Sequence, residues 1–196
     1  MPSTSVHRIL YGWIARGAPH AGKATREREG KVEKDLRKIR KMAKEREAEV
    51  DEFIEELKNR LVPKRKLDAA LKRFMKEAMP SFDCTKCAAC CKEAYVVVET
   101  PDIARLASAL GMKRSQFRAE YVGRNEDRDT CLKRRPCPFL KRNLCVLYEA
   151  RPDCCREYPF SLAVDSTEKF DNLSANYLVC PVVFHAVERL REDFPL

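Results

Sequence analysis

The stretch "CTKCAACC", residues 84 to 91, packs four cysteines into eight positions, and no other feature of the chain limits its fold as strongly. Six more cysteines follow at Cys131, Cys137, Cys145, Cys154, Cys155 and Cys180, so all ten lie in the second part of the 196-residue chain. A gap of two residues lets one tight turn aim both sulfurs at an ion about 2.3 Å away, the spacing used in zinc and iron–sulfur sites. Two such gaps overlap here, which makes metal ligation the first expectation. Cys90 and Cys91 add a limit of their own. In a strand they would point to opposite faces, and in a helix they would diverge by about 100°. Either each serves a different centre or one of them is core.

Disulfides and a lone nucleophile fit less well. Ten is an even number, and small secreted domains use such counts, but this chain is long enough to bury a core without crosslinks. It also lacks a convincing secretory signal. Histidine adds little: His7 and His20 belong to the N-terminal part, and only His185, five positions after Cys180, could join a site. The bacterial ferredoxin run wants a third gap of three residues and a following proline, which Cys91-Lys92 does not supply. A radical-type C-x3-C-x2-C run fails at Ala94. Zinc and iron both stay open, and eight thiols suffice for two tetrahedral sites or for one four-thiolate cluster with the remainder structural.

Charge divides the chain near Pro80. Residues 1 to 80 carry 21 Lys and Arg against 13 Asp and Glu, a balance of +8, while residues 81 to 196 carry 18 against 17, a balance of +1. The reading is therefore a basic helical arm, residues 1–80, and a nearly neutral cysteine-rich metal-binding domain, residues 81–196. Between Lys23 and Val62 there is no proline and only Gly30 among glycines, so a long helix is expected over about 23–62, ending at Pro63. Val32, Leu36, Ile39, Ala43, Val50, Phe53 and Leu57 form a heptad seam in which Arg46 takes one core slot and Arg60 the next past Leu57. Two partners suit that seam: the same helix of a second chain, giving a homodimeric coiled coil, or the shorter amphipathic helix expected over 67–79. The basic run from Lys31 to Lys44 is either solvated, with i to i+4 pairs to Glu, or a contact for a polyanion such as RNA, the ribosome or an acidic membrane surface.

No run of 18 uncharged apolar residues exists, so no ordinary transmembrane helix is expected. The opening segment reads as no signal peptide. It bears arginines and has no acidic residue before Glu27, which is also how an organellar transit peptide looks. The expected location is cytoplasmic, or organellar if that segment is a transit peptide.

The cysteine-rich part carries a resemblance. "FDCTKCAACCKEAYVVVETPDIARLASALGM", "CPFLKRNLCVLYEARPDCCREYPF" and a late "CP" are similar to the YkgJ-type cysteine-cluster family, a zinc- or iron-chelating CxxCxxCC domain also found in flagellin lysine N-methylases. The resemblance covers about residues 82 to 184. It implies metal ligands at Cys84, Cys87, Cys90, Cys91, Cys137, Cys145, Cys155 and Cys180, and leaves Cys131 and Cys154 outside the pattern. The expected fold is α+β, a small metal-organised domain of short strands and helices behind the helical arm. "YVVVE" reads as a buried strand. "TPDIARLASALG" reads as a helix with Thr100 as N-cap, Pro101 in its first turn and Gly111 past its end, and "SQFRAEYV" as a second short helix. The pair outlines a helix-turn-helix, but its apolar face favours packing over DNA reading. Arg151, Arg156 and Tyr158 flank Cys154 and Cys155. They either offset the negative charge of a tetrathiolate centre or bond the turn carbonyls around Pro152 and Pro159.

No specific reaction is legible. The methylase resemblance would call for S-adenosylmethionine, yet no two of the six glycines are close enough for a Gly-rich nucleotide loop. G-x-S-x-G and H-E-x-x-H are absent. Two functions are left: a zinc-organised binding module, and an iron or iron–sulfur redox or protein-modifying enzyme. Both require metal binding to be coupled to folding. Cys84→Ser and Cys87→Ser are each expected to lower metal content and melting temperature together; unchanged values in both would exclude these thiols as ligands.

Overall fold

The structure, a computed structural model, describes residues 32–60, 62–159, 170 and 172–195. The Asp35 carboxylate accepts from the amides of Arg37 and Lys38 at 2.9 and 3.4 Å and so caps helix α1, Leu36–Glu45. Helix α2, Glu47–Asn59, follows after one residue. The long helix expected over 23–62 is thus interrupted at Arg46, where φ is −103° and ψ 5°; residues 23–31 lie outside the described residues. Pro63 precedes helix α3, Lys64–Ala78, which begins three residues before the expected start because proline pre-sets the entry to a first turn.

The seam residues Ile39, Ala43, Val50, Phe53 and Leu57 are all buried. They share one core with Leu71 and Phe74 of α3 and with Val183, Val187 and Leu190 of the last helix, Pro181–Asp193. That last helix lies along α3. That helix and the residues after it answer both charged slots of the seam: Arg46 pairs with Glu188, 142 positions away, and Arg60 donates to the carbonyl of Pro195 at 2.9 Å. Glu188 is a hub here, since it accepts from Tyr177 Oη at 3.0 Å and from Arg191 at 3.2 Å as well. Basic residues of the arm are largely matched: Lys38 pairs with Glu33, Arg40 with Glu93, Lys41 with Glu45 and Lys44 with Glu47. The residues from Val32 onward belong to one compact unit with the cysteine-bearing segment.

A second core holds the middle of the chain. Two short helices, Cys84–Cys87 (α4) and Ala89–Glu93 (α5), lead into an extended run, then α6, Thr100–Ala109, and α7, Arg114–Tyr121. The N-cap of α6 is Glu99, not Thr100: Glu99 and Asp102 form a reciprocal capping box, with Asp102 Oδ2 accepting from the Glu99 amide at 2.9 Å. Gly111 follows in the left-handed conformation, φ 66°, as a helix end favours. Strands β1, Val122–Arg124, and β2, Thr130–Leu132, pair antiparallel, with Gly123 opposite Cys131. The "YVVVE" run is no fully buried strand. Its amide and carbonyl bonds to Thr130 and Leu132 border β2, and its side chains alternate, Val96 and Val98 inward and Val97 exposed. Val96, Val98, Ile103, Leu106, Phe117, Leu132 and Phe139 pack together. Phe117 lies 5.1 Å from the Tyr121 ring and 6.3 Å from the Phe139 ring, so the two-helix unit spends its apolar face on this core.

A second hairpin joins β3, Leu140–Lys141, to β4, Leu144–Cys145. Helix α8, Asp153–Glu157, helix α9, Leu173–Val179, and helix α10, Pro181–Asp193, complete an α+β fold. Among the described residues no helix is long and apolar enough to cross a membrane. Because Phe53 is 2% exposed within the first core, Phe53→Ala is expected to cost about 3–5 kcal/mol in urea unfolding. A cost below about 1 kcal/mol would mean that α2 does not pack there.

Candidate metal site

The first four cysteines owe their placement to one residue. The Asp83 carboxylate accepts from the amide and hydroxyl of Thr85 at 2.9 and 2.6 Å and starts α4, which carries Cys84 and Cys87. Ala88 then turns left-handed, φ 47° and ψ 25°, and the chain restarts as α5 with Cys90 and Cys91. That conformation costs a non-glycine residue roughly 1–2 kcal/mol, yet Ala88 is buried, 4% exposed. The Lys92 ammonium donates to the Cys87 carbonyl at 3.2 Å and ties the two turns together.

Cys137 and Cys145 are delivered by the β3–β4 hairpin. Its two-residue loop, Arg142-Asn143, has φ of 50° and 63°, the pair of positive values that matches strand twist in the tightest hairpins. Leu140 faces Cys145 across the ladder, and the Leu140 amide donates to the Cys137 carbonyl at 3.0 Å. The Cys137 amide donates to the Cys91 carbonyl at 2.8 Å, and Asn143 Nδ2 to the Lys86 carbonyl at 3.1 Å, so the hairpin is stitched to the CxxCxxCC segment at both ends.

Cys154 and Cys155 sit on α8, and buried Asp102 holds that helix in place. Asp102 accepts from the Asp153 amide at 3.1 Å, while Arg105 bridges to Asp153 at 2.7 Å and to the Arg151 carbonyl at 3.0 Å. Neither Asp102 nor Arg105 was legible as a site residue: the capping box is a local signal, but the reach to residue 153 is not. The exposed Cys154 thiol donates to the Val97 carbonyl at 3.1 Å. Cys155 packs instead against the second core with Cys137 and Cys145. Cys180 ends α9, caps α10 and belongs to the first core.

Cys87 and Cys180 line one small cavity together. Cys180 feels Cys84 and Cys87, and Cys90 feels Cys91, Cys180 and Cys155. Cys137 feels Cys91, Cys155 and Cys145, and Cys145 feels Cys91 and Cys155. Cys131 is apart, buried in β2 with Asp129, Glu126 and Arg135 as its charged neighbours. His185 is engaged elsewhere, its Nε2 2.9 Å from the Glu33 carbonyl and its ring stacked 5.6 Å from Phe82. Among the described residues no three Cys, His, Asp or Glu side chains converge closely enough to form a finished coordination shell. The thiols are gathered in one region without being closed on a point.

The donor chemistry suits a cation. Burial pushes the thiols of Cys180 and Cys137 up to about 11, so near neutral pH they are protonated and a bound metal would have to displace the protons. The Cys91 thiol is instead held below the usual range, by its neighbour Cys90 first and then by the Arg151 and Lys92 charges. Three buried donors in this region, Arg105 Nε, Arg151 Nε and Tyr158 Oη, lack a partner of hydrogen-bonding geometry. Arg151 stacks on Tyr148, 3.6 Å from the ring centroid. Arg156 does something different, donating from Nε to the Arg151 carbonyl at 3.0 Å and from Nη2 to that of Glu149. It serves the turn, while Arg151 faces the thiols.

No curated protein and no solved structure matches the chain at a significant level. A family model does: CxxCxxCC, described as a "putative zinc- or iron-chelating domain", matches residues 83–181, just over half of the chain. With that span covering the two short cysteine helices, the hairpin and Cys180, the chain belongs to the CxxCxxCC family of zinc- or iron-chelating domains.

Proposed function

We propose that the chain is a metal-binding protein in which Cys84, Cys87, Cys90, Cys91, Cys137, Cys145, Cys155 and Cys180 hold zinc or iron, and that the bound metal fastens its two cores together. The observation that carries this reading is the position of the thiols: Cys180 is part of the first core, Cys137, Cys145 and Cys155 border the second, and the CxxCxxCC segment touches both groups, Cys87 lining a cavity with Cys180 and the Cys91 carbonyl accepting from the Cys137 amide. Thiolates suit zinc, iron and iron–sulfur clusters alike. Deprotonated sulfur in that junction would also give the unpartnered Arg151 and Tyr158 donors an acceptor.

The test is elemental analysis for zinc, iron and acid-labile sulfide on full-length protein purified without oxygen, followed by melting before and after chelation. Bound metal is expected, with its removal lowering the melting temperature by roughly 10 °C or more, since ligand binding here is folding energy. A metal-free chain that melts unchanged after reconstitution attempts would overturn the reading. Zinc uptake is also expected to release protons. The buried thiols have pKa values above their ordinary one and bind metal only when deprotonated, so apparent affinity falls as pH falls. A pH-jump titration with a competing chelator checks the sign.

A further inference from the structure

Among the described residues five large apolar side chains are exposed, and three of them, Leu144, Val146 and Tyr148, follow one another at every second position, 54%, 50% and 42% exposed. They start on β4 and alternate with Cys145 and Leu147, which pack against the second core. The run "LCVLY" is therefore apolar on both faces. A strand face that meets water ordinarily carries polar side chains. This face is also held in place. The Val146 amide donates to the Phe139 carbonyl at 2.9 Å, Asn143 Nδ2 donates to the Lys86 carbonyl at 3.1 Å, and the Arg151 guanidinium stacks 3.6 Å from the centroid of the Tyr148 ring.

The charge around the row is positive. From Thr130 to Tyr148 the chain has five cations, Lys133, Arg134, Arg135, Lys141 and Arg142, and no acidic residue. The ladder sets Lys141 opposite Leu144, and residues opposite one another in an antiparallel pair share a face. Arg142 occupies the turn beside it. Among the described residues no carboxylate pairs with Lys141 or Arg142. Lys86, whose carbonyl Asn143 holds, adds a third cation, its side chain 85% exposed and 3.6 Å from Asp83. Glu149 follows the row, but Arg156, which donates to the Glu149 carbonyl, brings an opposing charge to that end.

We propose that this hairpin face docks on a membrane surface rich in anionic lipid, with Leu144, Val146 and Tyr148 entering the boundary between headgroups and acyl chains while Lys86, Lys141 and Arg142 meet the lipid phosphates. Apolar side chains set among uncompensated cations match a boundary that is apolar within and negative outside. Tyrosine is enriched at that level of a bilayer. A second copy of the chain is a poorer occupant. Across a twofold axis Lys141 and Arg142 would meet their own kind, and three half-exposed side chains fall short of the roughly 800 Å² that a stable interface takes from each partner. The row stands out from the surface, which suits a fluid boundary that needs no complementary shape. No metal takes part in this contact.

The full chain, as purified, is sedimented with vesicles of phosphatidylcholine alone and with vesicles that also hold about 30% phosphatidylserine. Binding is expected to the anionic vesicles, weakening about tenfold or more between about 50 and about 500 mM salt. Leu144→Ser with Val146→Ser, and Lys141→Glu with Arg142→Glu, should each weaken it by about tenfold or more, with metal content and melting temperature as in the wild type. Lys38→Glu with Lys41→Glu, on α1, should leave it unchanged. No binding to anionic vesicles, hairpin variants that bind like the wild type, or a loss confined to the α1 variant would each overturn the proposal. A gain of signal reads the same face. Trp13 is the single tryptophan, so Trp13→Phe with Tyr148→Trp reports on position 148 alone. Its emission should shift to the blue on anionic vesicles, and an unchanged spectrum would overturn the assignment. Retention on immobilised polyglutamate without vesicle binding would make the face a protein-docking surface and overturn the lipid assignment too.

Discussion

Half-buried sulfur between two apolar cores is the constraint on which the rest of this structure depends. The first core is helical and draws on both ends of the described chain, α1 to α3 and α9 to α10. The second is local, formed by residues 96 to 150. Neither reaches the other through a continuous apolar interface; the segment between them is lined by half-buried thiols. Thiols without a cation are weak glue, since they are poor hydrogen-bond donors and burial holds them neutral. On the function proposed above, a bound cation would turn them into ligands and the junction into a crosslink.

This explains why so much of the polar machinery serves position. Asp102 and Arg105 hold the start of α8, Asn143 pins the hairpin to Lys86, and Lys92 links α4 to α5. None of these side chains is placed to ligate. Each fixes the backbone of an element that carries a cysteine, which is how flexible short elements can present sulfurs in a set arrangement.

Much of this was legible because its signals are local. The amphipathic period gave α3 and the seam, Pro63 and Gly111 gave boundaries, and the cysteine spacing gave the metal reading. The same sequence hid what depends on distant partners. The charged slots at Arg46 and Arg60 looked like breaks in a seam, whereas Glu188 and the Pro195 carbonyl complete them from the far end of the chain. Thr100 looked like the N-cap because its hydroxyl is the usual acceptor, but the Glu99 and Asp102 carboxylates are better placed. The "YVVVE" run looked buried on both faces because all three valines are apolar, and only its pairing with β2 reveals that Val97 faces outward.

Helix α10 has a temporal consequence. The chain is synthesised from its N-terminus, and domains fold as they emerge. Helices α1 to α3 are made well before the surface they pack on, Val183, Val187 and Leu190. The middle of the chain, with all its thiols but Cys180, is made in between. During synthesis the first helices therefore spend an interval with their apolar faces uncovered, and nascent-chain binding factors would meet them there. Closure of the helical core and arrival of Cys180 therefore come together, after α1 to α3 have been made.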